Sequence, residues 1–178
     1  MKSILFLSLF FFNYQNLDAQ DFSSFDESNY FKTGEYLYEF GFFKLNVYKV
    51  YFYCKSKACT KTDIKNANGT FYIKFEYLRD VKKKYSVKGW NVGLKRNLGP
   101  KYMEFKNEIG WLKQNTFEIK KNDVVVIGVD EGEITFYKNN EIMAQTQNIK
   151  LAKIIFLPWI GEKPITKNCQ KNLFKFAT

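Results

Sequence analysis

Phe71, Ile73, Phe75 and Tyr77 alternate without a break with Tyr72, Lys74 and Glu76. A period of two belongs to a strand with one face on a core and the other toward polar surroundings. The alternation ends at Leu78-Arg79-Asp80, and a lysine-rich segment follows. There Val87, Trp90, Leu94 and Leu98 form one helical stripe. Val81, Tyr85, Lys88 and Val92 form a second on nearly the opposite side. One stripe belongs to the core and the other to solvent or to a cleft. Asp80 is well placed to cap this helix. Gly99-Pro100 ends it and starts the next, on which Tyr102, Phe105, Ile109 and Leu112 share a face.

The flanking segments restrict the fold further. Glu35–Phe40 and Phe43–Tyr53 read as strands, with Gly41 marking a bend or bulge between them. Residues 20–33 read as a loose polar lead-in, and Thr60–Gly69 as a polar loop. A meander is predicted from Asp123–Val129, Ile134–Tyr137 and Ile142–Thr146, with turns at Asp130–Glu133 and Asn139-Asn140. Val124–Val129 is apolar on both faces, so each side of that strand needs a cover. Leu151–Phe156 reads as helix up to Pro158, and Ile165, Cys169, Leu173 and Phe176 mark a closing helix. With no repeat or linker, residues 34–178 form a single α+β domain around an antiparallel sheet.

Composition removes several chemistries. The chain has no histidine, so Ser-His-Asp hydrolysis, Cys-His catalysis and His-ligated metal sites are excluded. Proton transfer would fall to Tyr, Lys, Asp, Glu or water. The densest group that could hold an anion or move a proton is Arg79, Asp80, Tyr85, Ser86 and Lys88. The formal net charge is +10, yet the lysines are scattered and the longest run is Lys82-Lys83-Lys84. Such a distribution gives a solvated basic surface, with peripheral association with an anionic membrane as the functional alternative. Trp90, Trp111 and Trp159 read as core or cleft walls rather than a stacking platform, so no nucleic-acid partner is expected. No cysteine pair has metal-ligand spacing, and neither metal nor cofactor is expected.

Met1-Lys2 followed by Ile4–Phe12 has the form of a charged region and a short apolar region, with Leu17-Asp18-Ala19 as a cleavage site before Gln20. The apolar run falls short of the roughly 20 residues needed to span a bilayer. The expectation is export to the periplasm or medium after removal of residues 1–19, with no transmembrane span, as a monomer. In an oxidising compartment Cys54 and Cys59 could staple the loop between two strands. Cys169 is left over, on an apolar helix face.

The order of these segments resembles the chalcone isomerase-like family, in particular its exported bacterial branch. The matching stretches are Gly34-Glu35 leading into Phe42–Tyr51, then Tyr77-Leu78-Arg79-Asp80-Val81, the meander, and Phe156–Pro164. Together they span residues 33–176. The resemblance implies a large antiparallel sheet with helices on one face and a ligand cleft between the two layers. The plant enzymes of the family close a chalcone ring by intramolecular phenolate attack, using an arginine and a threonine from the first strands and a tyrosine, lysine and asparagine around one helix. Tyr85 and Lys88 match the helix element. The asparagine position falls on Val92, with Asn91 adjacent, and the threonine position near Asn46. The closing threonine falls near Pro158 or Trp159. The arginine position falls near Tyr38, and no arginine precedes Arg79.

Two functions follow. The first is a non-catalytic exported binder of a hydrophobic or amphipathic small molecule, fatty-acid-like or aromatic. Its candidate contacts are Tyr38, Asn46, Tyr48, Tyr85, Lys88, Asn91 and Val92, with Arg79 and Asp80 structural. The second is an isomerase or lyase acting on an unsaturated carbonyl through Tyr85 and Lys88. The missing arginine, which would hold a phenolate or carboxylate, favours the first.

Overall fold

Six strands pair in chain order into one antiparallel sheet: β1 (Phe31–Phe40), β2 (Leu45–Cys54), β3 (Thr70–Tyr77), β4 (Val124–Asp130), β5 (Glu133–Lys138) and β6 (Glu141–Gln147). The computed structural model describes residues 25–175. The meander hairpins close as the sequence requires. Glu131 and Gly132 take φ of 47° and 88°, and Asn139 and Asn140 take 51° and 70°. Left-handed conformations at both positions give turns whose twist suits flanking strands.

The helices are α1 (Lys61–Asn66), α2 (Lys83–Leu98), α3 (Lys106–Gln114), α4 (Ile149–Ile155), α5 (Leu157–Ile160) and α6 (Lys167–Leu173), with a 3-10 run at Gly99–Phe105. They bury Trp90, Leu94, Ile109, Leu112, Leu151 and Leu173 in one cluster with Val50, Phe52, Ile73, Phe75, Ile127 and Phe136 of the sheet. The alternation at 71–77 therefore does what it predicts, placing Phe71, Ile73 and Phe75 under the helices. The architecture is α+β, an antiparallel sheet with helices packed on one face.

The opposite face has its own cover, as the two-sided apolar strand β4 demands. The Tyr72 ring lies over Gly128. Phe25 and Tyr30 close on Tyr72 from the chain's approach to β1, with ring centroids 4.7 and 4.6 Å away. Glu27 accepts hydrogen bonds from the Tyr53 hydroxyl at 2.6 Å and from Lys74 at 3.1 Å. These two donors hold its carboxyl below the usual range.

Several expectations are corrected. The predicted lead-in is not loose to residue 33: β1 begins at Phe31, paired with Cys54, and Phe25–Tyr30 packs on the sheet. Thr60–Gly69 is not all loop. Thr60 and Asp63 form a reciprocal capping box that starts α1, and Ile64 fixes it to the core. Asp80 caps no helix, because α2 starts only at Lys83 with Lys82 as its cap residue. Val81 instead bridges to Ile119, so the chain is still extended there and Asp80 accepts from the Lys121 amide at 2.8 Å. Arg79 is engaged elsewhere, its Nε donating to the Asn46 carbonyl at 2.8 Å. Pro158 does not stop the helical run but opens α5, where its missing N–H is no loss. The disulfide offered by Cys54 and Cys59, by contrast, does form, with Cα atoms 6.2 Å apart, while Cys169 is free and buried. The predicted export signal and Phe176 lie outside the described residues.

One end of the sheet is held by very close packing. A Cβ at Gly34 would run into the Asn172 and Leu173 backbone. The adjacent Thr33 hydroxyl donates to the Leu173 carbonyl at 2.6 Å. Gly34→Ala should therefore lower unfolding free energy by about 2–3 kcal/mol, as overpacking does. At Gly89, inside α2, an added Cβ meets nothing. Gly89→Ala should raise stability by about 0.5–1 kcal/mol through helix propensity. Urea unfolding of the two variants measures both signs.

Candidate functional site

The layer between sheet and helices, where the resemblance places a cleft, is filled by aromatic side chains. Tyr38 and Tyr48 face each other across β1 and β2, and their rings stack 4.9 Å apart at 23°. Tyr48 also meets Phe75 and Tyr77 edge-on at 5.3 and 5.4 Å. From α5, Trp159 lies 5.0 Å from Phe75 and 5.2 Å from Trp90 of α2. Its indole N–H donates to the Tyr48 hydroxyl at 3.2 Å. Sheet, α2 and α5 thus converge on one aromatic group, with Tyr48 buried and Tyr38 half-exposed at its edge.

The hydroxyls of this group are poor proton carriers. Burial pushes Tyr48 well above the ordinary tyrosine range, and burial does the same to Tyr77. Tyr38 is also raised, first by burial and then by Tyr36, while the positive charge of Arg96 works in the opposite direction. Arg96, near the end of α2, donates from Nη1 to the Pro164 carbonyl at 3.1 Å. Neutral hydroxyls, an indole and aromatic faces make the layer a place for hydrophobic and hydrogen-bonding contact.

The remaining predicted residues are elsewhere. Tyr85 is 58% and Val92 48% exposed, and Lys88 is exposed with them, all on the side of α2 away from Trp90 and Leu94. The second stripe on the α2 sequence is therefore the solvent face. Asn91 accepts from the Tyr102 hydroxyl at 2.8 Å and ties α2 to the 3-10 run. Asn46 is exposed at the start of β2, its carbonyl held by Arg79. The structure brings together Tyr38 and Tyr48, and it separates this pair from the solvent-facing Tyr85 and Lys88.

Residue-by-residue reading did not reach Trp159 as the partner of Tyr48, nor Arg96 as the charge acting on Tyr38. Both relations join residues far apart in the chain, and no local spacing announces them. Among the described residues no group of acidic or cysteine side chains could hold a metal ion. An open concavity of about 480 Å³ lies along β1 and β2, with Glu35, Leu37, Lys49 and Tyr51 in its walls. Leu37 pairs with Lys49, and Glu35 with Tyr51, on the sheet face turned from the helices.

Comparison with known proteins agrees with the architecture. A family profile described as chalcone isomerase-like matches residues 40–174. The crystal structure of a fatty-acid-binding protein of Arabidopsis thaliana matches the fold with a TM-score of 0.65. The two are 16% identical, and the match covers 87% of this chain and 91% of that one. No curated protein matches the sequence.

Tyr48→Phe leaves the Trp159 indole N–H without its acceptor in a partly buried place. It should cost about 1–2 kcal/mol and change the near-UV circular dichroism of the tryptophans. Tyr85→Phe with Lys88→Ala should stay within about 0.5 kcal/mol of wild type, as exposed substitutions do. Equal losses in the two variants would contradict the assignment of core and solvent faces.

Proposed function

Because the chain belongs to the chalcone isomerase-like family, we propose that it is an exported, non-catalytic member that binds a hydrophobic or amphipathic small molecule in the layer between sheet and helices. One observation supports this above the others. Where the resemblance expects an arginine on the first strand there is Tyr38, stacked on Tyr48, while Tyr85 and Lys88 stand on the solvent side of α2. The groups that would polarise an enone and hold its phenolate do not meet. What meets is an aromatic wall with the hydroxyls of Tyr38, Tyr48 and Tyr77 and one indole.

Such a wall suits a fatty-acid-like or aromatic ligand, which gains from apolar burial and needs few directed hydrogen bonds. Tyr38, half-exposed, is the side chain that moves to admit it. Arg96, whose charge is felt at Tyr38, supplies the positive charge that an acidic head group requires. The fold likeness to a fatty-acid-binding protein fits this ligand class. Export is supported by the apolar N-terminal run and by the Cys54–Cys59 disulfide, which belongs in an oxidising compartment.

Native mass spectrometry of protein recovered from the periplasm of an expression host should show a co-purified lipid or aromatic compound. After its removal, titration with a long-chain fatty acid should perturb tryptophan fluorescence. Tyr38→Ala and Arg96→Gln should each weaken binding about 10-fold, and Tyr85→Phe with Lys88→Ala should bind as wild type. No binding across fatty acids and phenolic enones would overturn the reading, and so would cyclisation of an enone above background.

Export has its own test. Burial pushes the Cys169 thiol up to about 12, so native protein should resist alkylation at neutral pH. Unfolded without reductant, it should take one alkyl group, and after reduction all 3 cysteines should react. Three adducts without reductant would argue against passage through an oxidising compartment.

A further inference from the structure

The turn between β1 and β2 exposes apolar surface that nothing in the fold uses. Phe40, Phe42 and Phe43 are 62%, 95% and 83% exposed, and Leu45 beside them 43%. The turn is tight, since the Lys44 amide donates to the Gly41 carbonyl at 3.2 Å. The Phe42 and Phe43 rings stand edge to face 5.7 Å apart. Among the described residues neither the layer between sheet and helices nor the core reaches this point.

Positive charge lies close to the turn. Lys44 is in it, and Lys49 is exposed on β2 across from Glu76 of β3. Glu39 is the only acidic residue from Tyr38 to Lys49. Next to the hairpin base the Leu78 amide donates to the Val47 carbonyl at 2.9 Å and Arg79 to that of Asn46. The exposed run Lys82-Lys83-Lys84 follows directly and leads into α2. Asp80, which would offset Arg79, is turned toward Lys120 and Lys121 instead.

We propose that the Phe40–Leu45 turn is a wedge that inserts into the surface of an anionic lipid bilayer, with the lysines and Arg79 meeting the headgroups. This goes beyond small-molecule binding and stands or falls separately from it. A convex tip of adjacent phenylalanines offers no groove or edge that would select a folded partner. It fits an apolar layer that deforms around it. The basic collar at the same end is complementary to acidic phospholipid, and the overall charge of +10 draws the protein to such a surface.

Sedimentation with extruded vesicles tests this, using processed protein whose N-terminus is read by mass spectrometry. Wild type should partition onto phosphatidylcholine vesicles containing 30% phosphatidylglycerol, not onto pure phosphatidylcholine, and 0.5 M salt should release it. Phe42→Ser with Phe43→Ser should weaken partitioning at least 10-fold, as should Lys44→Gln with Lys49→Gln. Lys55→Gln with Lys57→Gln, at the far end of the same sheet, should change it less than 2-fold. A Phe42→Trp variant gives an independent readout, with an emission blue shift on the acidic vesicles only. The proposal is overturned if wild type fails to bind, or if the double serine variant binds as wild type. It is also overturned if light scattering without lipid shows a dimer that the serine substitutions convert to monomer, which would make the tip a contact between two copies.

Discussion

Everything in this domain answers to one requirement: the aromatic row on the helix-facing side of β2 and β3 must be covered. Tyr48, Phe52, Phe71 and Phe75 are too large and too close together for a thin loop to shield. Among the described residues six mostly short helices cover the row instead. Short helices are weak by themselves and form chiefly because their apolar faces find this surface. Trp159 is the clearest fastening, since α5 has only four residues yet touches Phe75 and Trp90 and hydrogen bonds to Tyr48.

The same packing sets the chemistry. A layer filled with large neutral rings raises tyrosine pKa values and leaves them as hydrogen-bonding groups. Lys74, Glu76 and Glu27 are among the charged side chains held on the outer face instead. On the outer face, Lys74 lies between Glu27 and Glu76, 3.1 Å from each, and the Tyr51 hydroxyl donates to Glu76 at 2.8 Å. This network fixes the segment before β1 to the sheet and has no path to the aromatic layer on the other side.

The strands were the legible part of the sequence because their signal is local. Phe71–Tyr77 and the paired meander turns could be read one residue at a time. Asp80 was misread because its fate depends on Val81 bridging to Ile119, which is 38 positions away (119 − 81). The short helix α1 has a single buried residue in Ile64, too little for periodicity to register, although Thr60 and Asp63 have the spacing of a capping box. On α2 the two stripes were visible, but a helical wheel cannot tell a cleft from open water. Only the docking of α5 onto Trp90 and Gly93 decides which side is inside. The site is harder still: Tyr38, Tyr48 and the wall residue Trp159 can each be named, but not the hydrogen bond that joins Trp159 to Tyr48 across 111 positions.

Strand β1 forms one border of the sheet, and its Thr33–Gly34 step is clasped by α6 through contacts spanning 140 positions. Among the described residues the first strand is thus finished by the last helix. A growing chain can pair β1 with β2 early, because they adjoin. It cannot seal that border until α6 is made. Loss of α6 would therefore be felt first at β1, as an unprotected strand edge open to pairing with other chains.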